Sequence, residues 1–510
     1  MLPSQKTEYW DFRIIRIMDT KNKFLRILTE KKAFILFLII HLLVFVGVAL
    51  IRKVLPADSL EGIWWGSLHD FGSPKHPPLA AWLTYLAFLP FKSDFCVYLM
   101  SQLFIIGGFI YTYKLAKYFL DENKAVLSVM LLEGCWIYSY ITGYYGFNPD
   151  VVLLLILPAI TYYFYKCMLN NKGVDWIKLG IWFGLGCLDK YQTCLLVIAM
   201  AIWAFVFNKK TFKNKYFYIS VLIAFLIFLP HILWLIKYDF FPLLYYDNEL
   251  NVINGYNHLT SPLMFLSMQI VMIIGTLFIY SVSRFEFKEP ITLAKTFDKK
   301  QAWFLILLCF VPHLIHTLIG IYFGSDIRPR WGYVNWYMLG IMLFYFFPIE
   351  INKERFKFIS KLVYFVMIIV FLSMGILFTV EKNYRSRYPV DNVLNDLKTQ
   401  WAMQYEEPLK YIGGDTEWTF PLSVYGGVTN VMDTFSYKNP WIDEDDLKKS
   451  GIMIIDRRAC NILDYIKSLC PYLPEDYPIR NMKKYEFTIH NALGMPKNYT
   501  IYYYIVPPQK

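Results

Sequence analysis

Apolar residues in this chain come in blocks of bilayer length rather than scattered along it, and that pattern most constrains the fold. The first block, 33–51, is followed by runs at about 97–117, 124–141, 149–167, 176–188, 193–207, 217–236, 263–283, 302–323, 331–347 and 358–380. These make roughly eleven candidate membrane helices. The chain is 56% hydrophobic and only 18% charged over 510 residues, whereas soluble domains carry about 25% charge. The expected class is a polytopic α-helical membrane protein. The first block is too long for a signal-peptide core and lacks a small-residue cleavage site, so no cleavable leader is expected.

Loop charge orients the helices. Lys21, Lys23, Arg26, Lys31 and Lys32 precede the first block, and basic loops recur at 208–215, 284–300 and 353–361. Alternation places these inside. The opposite loops, 52–96, 143–148, 189–192, 237–262 and 324–330, are poorer in Lys and Arg and are expected outside. The net charge of +11 then comes from basic inner loops, and no nucleic-acid partner is expected. Beyond residue 380 the chain turns polar. Short β-like runs at 410–412, 452–455 and 499–506, a Gly413-Gly414 turn and an acidic helix start at 443–446 suggest a small α/β domain. The expected division is 1–380 for the membrane domain and 381–510 for an outer C-terminal domain, reached after an odd number of crossings.

The expected outer face gathers the groups able to do chemistry. The stretch 58–82 reads DSLEGIWWGSLHDFGSPKHPPLAAW and carries Asp58, Glu61, Asp70, Lys75 and His76 among tryptophans; its Pro-Pro pair opens a short amphipathic segment. GYYGFNPD brings Asp150 to a helix mouth, with Pro149 suited to the first turn. LDKYQ carries Asp189, Lys190 and Tyr191, and GSDIRPRW carries Asp326, Arg328 and Arg330. Carboxylates from separate loops, with Lys and Arg between them, suit a reaction that deprotonates an acceptor and stabilises a departing phosphate. Each residue also has a structural reading. Asp150 could serve the helix dipole, Asp58 and Glu61 could be solvated charges, and His76 could position the helix after it. Lys190 could snorkel, and the two arginines could anchor head groups. Glu133, His231, His313 and His316 lie in or near the apolar runs and are candidates by default.

There is no phosphate-binding glycine loop and no Cys/His cluster of metal-ligand spacing. No cofactor is required by the sequence, a metal ligand set is unknown, and a divalent ion held by a first-loop His or Glu stays open. Cys460 and Cys470 are a disulfide candidate if their compartment oxidises. A transporter or lipid flippase would be expected to show an internal repeat of broken helices, which is not evident. A non-catalytic scaffold with an outer binding domain is a further alternative.

The stretch 58–82 resembles the first outer loop of bacterial dolichyl-phosphate-mannose-type glycosyltransferases of the GT-C class, a group that includes lipid A aminoarabinose transferases. Glu61, Trp64, Trp65, Gly72, His76, Pro77, Pro78, Leu79, Ala81 and Trp82 match its pattern. Where that pattern has its first acidic residue this chain has Leu60, and Asp58 lies two positions earlier, so Asp58 and Glu61 are rivals. NPDVVLL around Asp150, GLGCLDKYQ around Lys190, FLPHILWLIKYDF around His231, GSDIRPRWG around Arg330 and the C-terminal PLKYIGGDTEW and PWIDEDDLKKSG extend the likeness. The resemblance implies transfer of an amino sugar or hexose from a polyprenyl phosphate, undecaprenyl phosphate in bacteria, to lipid A or lipopolysaccharide. A protein or another glycan is the alternative acceptor. It implies a multi-pass protein of the bacterial inner membrane with its site and C-terminal domain in the periplasm. Glu61, Asp150 and Asp58 are its catalytic candidates, and Lys75, His76, Lys190, Tyr191, Arg328 and Arg330 its candidates for holding donor phosphate or acceptor.

Overall fold

The computed structural model describes residues 30–47, 51–243, 257–380, 385–428, 430–433, 439, 441–474 and 482–509. Lys21, Lys23 and Arg26, part of the orientation argument, lie outside the described residues, as does much of the 237–262 loop. Each of the eleven apolar runs is largely helical over its described residues. Among the described residues six helices are individually long and apolar enough to cross a membrane: Asp94–Ala116, Pro149–Asn170, Lys215–Lys237, His258–Glu286, Lys299–Phe323 and Lys353–Val380. The helices Gly173–Asp189 and Thr193–Phe207 are shorter.

Among the described residues one of the expected spans is broken. The run 124–141 is a pair of helical segments, Glu122–Gly134 and Ile137–Tyr145, meeting at 64°. A break at membrane depth exposes backbone groups that neighbours must satisfy, and the helix Asn257–Glu286 does so here. Met272 O accepts from Trp136 N at 3.2 Å, and Thr276 Oγ1 donates to Leu131 O at 2.6 Å. Gly134 makes the approach feasible, since a Cβ there would sit 2.2 Å from Thr276 N. At the same break Glu133 meets His41 Nδ1 at 2.5 Å, both wholly buried. The run 331–347 divides into Arg330–Tyr333, a 3-10 turn Val334–Met338, and Leu339–Phe346. These segments follow one another without a gap, and Gln269 holds them from one side, accepting from Trp336 Nε1 at 3.0 Å and donating to Pro329 O at 2.9 Å.

The C-terminal residues form a mixed five-stranded sheet with strands β1 (Tyr411–Gly414), β2 (Asn430–Asp433), β3 (Ile452–Asp456), β4 (Lys483–His490) and β5 (Pro496–Val506), in the order β2-β1-β3-β5-β4. β1 is parallel to β2 and β3, while β5 is antiparallel to β3 and β4. Gly413 and Gly414, expected in a turn, end β1. Gly414 has φ +113°, and a Cβ there would lie 2.0 Å from Ile455 O, so the strand's close approach to β3 explains the glycine. Asp443 caps the helix Glu444–Ser450 by accepting from Asp445 N and Asp446 N. The Cys460–Cys470 disulfide does not form. Both thiols are free, one exposed and one buried, and they lie at opposite ends of the helix Ala459–Leu469. Ten residues of helix separate them by about 15 Å, far beyond the reach of a disulfide.

This unit docks on the membrane helices through the helix Thr416–Val424. Phe420 packs on Trp64 and Trp65, with ring centroids at 5.9 and 6.4 Å. The Tyr425 hydroxyl lies 3.0 Å from both Asp94 carboxylate oxygens and accepts from Leu55 N at 2.9 Å. The buried aromatic and aliphatic core therefore runs without a break from the membrane helices into the sheet.

Candidate active site

The stretch 58–82 is mostly helical. Pro56 precedes the helix Ala57–Ser67, and the Pro77-Pro78 pair precedes the helix Leu79–Phe88. The two helices pack closely because Gly62 and Gly66 face the second helix; a Cβ on Gly66 would sit 2.2 Å from Ala81 O. Between them, Ser73 Oγ donates to His76 O at 2.8 Å and accepts from His76 N at 3.1 Å, closing the turn that carries Lys75. Asp58, Glu61, Gly62 and Trp65 share one stripe of the first helix. That stripe forms one wall of a cavity of about 570 Å³.

Eight of the nine residues singled out from the sequence line this cavity: Asp58, Glu61, Lys75, His76, Asp150, Lys190, Arg328 and Arg330. Loops expected on one side of the membrane thus converge on one space. Tyr191 is placed differently. Its hydroxyl is 2.7 Å from His231 Nε2, whose Nδ1 lies 2.6 Å from Phe71 O, so it braces the first-loop turn instead. Leu60, at the position where the family pattern is acidic, is buried and absent from the main cavity wall.

The carboxylates stand in ion pairs. Glu61 Oε1 meets Lys75 Nζ at 2.7 Å, with both side chains about nine-tenths buried. Asp150 Oδ1 meets Lys190 Nζ at 2.5 Å, and its other oxygen lies 3.9 Å from Arg330 Nε. Arg330 Nη1 donates to Asp58 Oδ2 at 3.2 Å, and Asn148 Nδ2 lies 3.4 Å from the same oxygen. Asn148 also caps the helix Pro149–Asn170 through Val151 N, which fixes Asp150 in the first turn. Lys190 terminates the helix Gly173–Asp189, its N–H bonded to Gly186 O at 2.9 Å. Burial and the nearby Lys190, Lys75 and Arg330 hold the His76 imidazole well below its usual pKa of 6.5, so it stays neutral.

Several wall residues were not singled out from the sequence. Trp65, Tyr145, Trp331 and Tyr333 add aromatic surface, and Thr416 and Glu417 reach in from the C-terminal unit. Gln192 and Gln269 hold the backbone of the Arg328–Trp331 turn at Trp331 O and Pro329 O. Nothing local marks these glutamines, since their role depends on a turn more than fifty residues away. Among the described residues no group of three or more His, Cys, Asp or Glu side chains is arranged to hold a metal ion.

Residues 75–234, which carry Lys75, His76, Asp150 and Lys190, match the family model described as dolichyl-phosphate-mannose-protein mannosyltransferase. The backbone superposes on the crystal structure of ArnT from Cupriavidus metallidurans bound to undecaprenyl phosphate, with TM-score 0.58 over 92% of this chain and 97% of that one, at 12% identity. Across nearly its whole length the chain has the fold of that membrane protein. The apo form of the same ArnT matches with TM-score 0.56, 12% identity and the same coverage. At such identity the likeness speaks for the fold alone. No curated protein matches it significantly in sequence.

Proposed function

We propose that the protein transfers an amino sugar or hexose from undecaprenyl phosphate to lipid A or lipopolysaccharide at the periplasmic face of the bacterial inner membrane. On this reading residues 1–380 form the membrane domain and 381–510 a periplasmic domain. The observation that carries the proposal is a cavity at the helix ends where three carboxylates are each paired with a cation. Four cations, Lys75, Lys190, Arg328 and Arg330, face four carboxylates, Asp58, Glu61, Asp150 and Glu417. An arriving lipid phosphate competes for those cations. Lys75 is the one suited to swing, being a flexible side chain on a turn and the partner of Glu61. Its move to phosphate releases Glu61 as general base.

The acceptor hydroxyl then loses its proton to Glu61 as its oxygen bonds to the anomeric carbon. The bond from that carbon to the phosphate oxygen breaks, and undecaprenyl phosphate leaves with its charge held by Lys190, Arg328 and Arg330. Attack opposite the leaving group inverts the anomeric carbon. Asp150, between Lys190 and Arg330, holds those cations in place, while Asp58 orients Arg330. Trp65, Trp331 and Tyr145 offer apolar faces to a sugar ring. That undecaprenyl phosphate is bound in the ArnT crystal structure supports this donor. Transfer to a protein or another glycan would use the same chemistry.

Mass spectrometry of lipid A from a deletion strain and its complemented parent tests the acceptor. Loss of one sugar mass on deletion is expected. An unchanged profile rejects lipid A and turns the search to glycoproteins and other glycans. Native mass spectrometry of the purified protein with undecaprenyl phosphate tests the donor, and a failure to bind it would defeat the reading altogether.

A further inference from the structure

Two cysteines bracket the turn that delivers Lys190. Cys187 lies near the end of the helix Gly173–Asp189, and Cys194 in the first turn of the helix Thr193–Phe207. Gly186 lets the two helix ends close on each other. A Cβ there would sit 2.7 Å from Thr193 Cγ2, and Thr193 Oγ1 donates to Gly186 O at 2.9 Å. One residue further along each helix, the Cys187 and Cys194 sulfurs are 4.0 Å apart. Both thiols are free, the first buried and the second exposed. A disulfide needs its sulfurs about 2.0 Å apart, so the pair must close by about 2 Å, within reach of side-chain rotation.

A packing role explains a buried cysteine such as Cys187, but not an exposed one set against it. Partly exposed thiols at helix N-termini belong to the reactive class, and Cys194 is so placed. The residues between the two cysteines each reach a different part of the candidate site. Lys190 pairs with Asp150, and Tyr191 braces the first-loop turn through His231. Gln192 donates to Trp331 O, next to Arg330. Neither cysteine lines the cavity itself, so a bond between them acts on the turn and leaves the charged groups chemically intact.

We propose that Cys187 and Cys194 are an oxidisable pair whose disulfide clamps the turn 188–193 and presets Lys190 for the donor phosphate. The oxidant is an external disulfide, of a small thiol or of an exchange-active protein, as found in oxidising compartments. The inference rests on the outer placing of this turn and on the transferase reading above. The Cys194 thiol gives its proton to water, and its thiolate attacks one sulfur of the oxidant, whose other sulfur leaves as a thiolate. Cys187, deprotonated in turn, attacks Cys194 Sγ in the mixed disulfide, and the second external sulfur leaves. Two protein thiols are oxidised, one external disulfide is reduced to two thiols, and the two protons end on those.

The test uses the full chain in detergent, poised with oxidised or reduced glutathione. Free thiols are then blocked with N-ethylmaleimide and the protein is digested with trypsin. Cleavage after Lys190 puts the two cysteines on different peptides, so their disulfide appears as a linked pair two hydrogens lighter than the sum. The linked pair is expected in the oxidised parent and absent after reduction. Oxidation should also slow hydrogen exchange of the turn amides by about threefold or more. Native mass spectrometry should show undecaprenyl phosphate held about threefold or more tightly by the oxidised form, because the clamped turn is ordered before binding. Cys194→Ser should fold, bind the lipid and lose every one of these redox differences. The proposal is overturned if the peptides stay unlinked in excess oxidised glutathione, if exchange or lipid affinity is the same in both forms, or if Cys194→Ser still responds. A link that forms in buffer but never in membranes from cells would overturn the outer placing and with it the oxidant. If neither form binds undecaprenyl phosphate the transferase reading fails, while the linked peptides and the exchange rates still decide the clamp.

Discussion

Glu61 and His76 both belong to one hairpin of helices, the first on its leading arm and the second on its turn, and their surroundings assign them opposite tasks. Glu61 is paired with Lys75 at 2.7 Å, and on the proposed mechanism it becomes a proton acceptor when that lysine turns to phosphate. Glu61→Gln keeps the shape and removes the acceptor; turnover is expected to fall by about 10²–10⁴-fold, the usual contribution of a general base. Undecaprenyl phosphate binding is expected to stay within a few-fold, and radiolabelled sugar transfer beside native mass spectrometry separates the two. His76 is kept neutral by burial and by Lys190, Lys75 and Arg330. Above pH 6.5 the folded and unfolded chains both hold it neutral. Below that value the unfolded chain takes up a proton that the folded chain refuses, so stability falls with acid, by at most about 1.4 kcal/mol per pH unit. Thermal unfolding between pH 5.5 and 7.5 should show this loss in the parent and a smaller one in His76→Gln. An identical slope in both would refute the assignment.

Helices and turns decide where these side chains go. The helices Ala57–Ser67 and Leu79–Phe88 meet through Gly62 and Gly66, and the Gly66 contact leaves no space for a methyl group, with Ala81 O 2.2 Å from the Cβ position. Gly66→Ala is expected to cost about 1–3 kcal/mol as an overpacked contact, seen as a lower melting temperature. It should also reduce transfer, because Glu61 sits on one arm of that hairpin and Lys75 on the turn that joins the arms. Periodicity could have revealed the helix at 57–67: Asp58, Glu61, Gly62 and Trp65 follow helical spacing, but a short polar-aromatic stretch after a membrane run reads as loop. The broken run was illegible for a different cause. Apolar content shows how much backbone lies at membrane depth, whereas the 64° bend depends on Met272 and Thr276 of a distant helix.

For the molecule as a whole, the C-terminal unit is part of the candidate site's wall. It supplies Thr416 and Glu417 to the cavity wall and is fastened by Tyr425, whose hydroxyl bridges Asp94 and Leu55 N. Tyr425→Phe leaves a largely buried carboxylate and an amide without that partner. A loss of about 1–3 kcal/mol is expected, with faster proteolysis in the segment joining the unit to the last membrane helix. Equal melting temperature and equal proteolysis in parent and variant would mean that the unit is held by aromatic packing on Trp64 and Trp65 alone.

The amino-acid sequence by itself determined that the chain is a bundle of apolar helices, which residues gather at one set of helix ends, and which family they resemble. These are properties of local composition and spacing: bilayer-length runs, a proline at a helix start, and H-P-P-L-x-A-W after the first run. Only the tertiary structure decided the pairing of each carboxylate with its cation, Glu61 with Lys75, Asp150 with Lys190, Asp58 with Arg330. It also decided the placing of Tyr191 on His231. Charge pairing depends on distances of a few ångströms between helices up to 272 residues apart in the chain. Spacing along a sequence carries no record of such distances until packing brings the helices together.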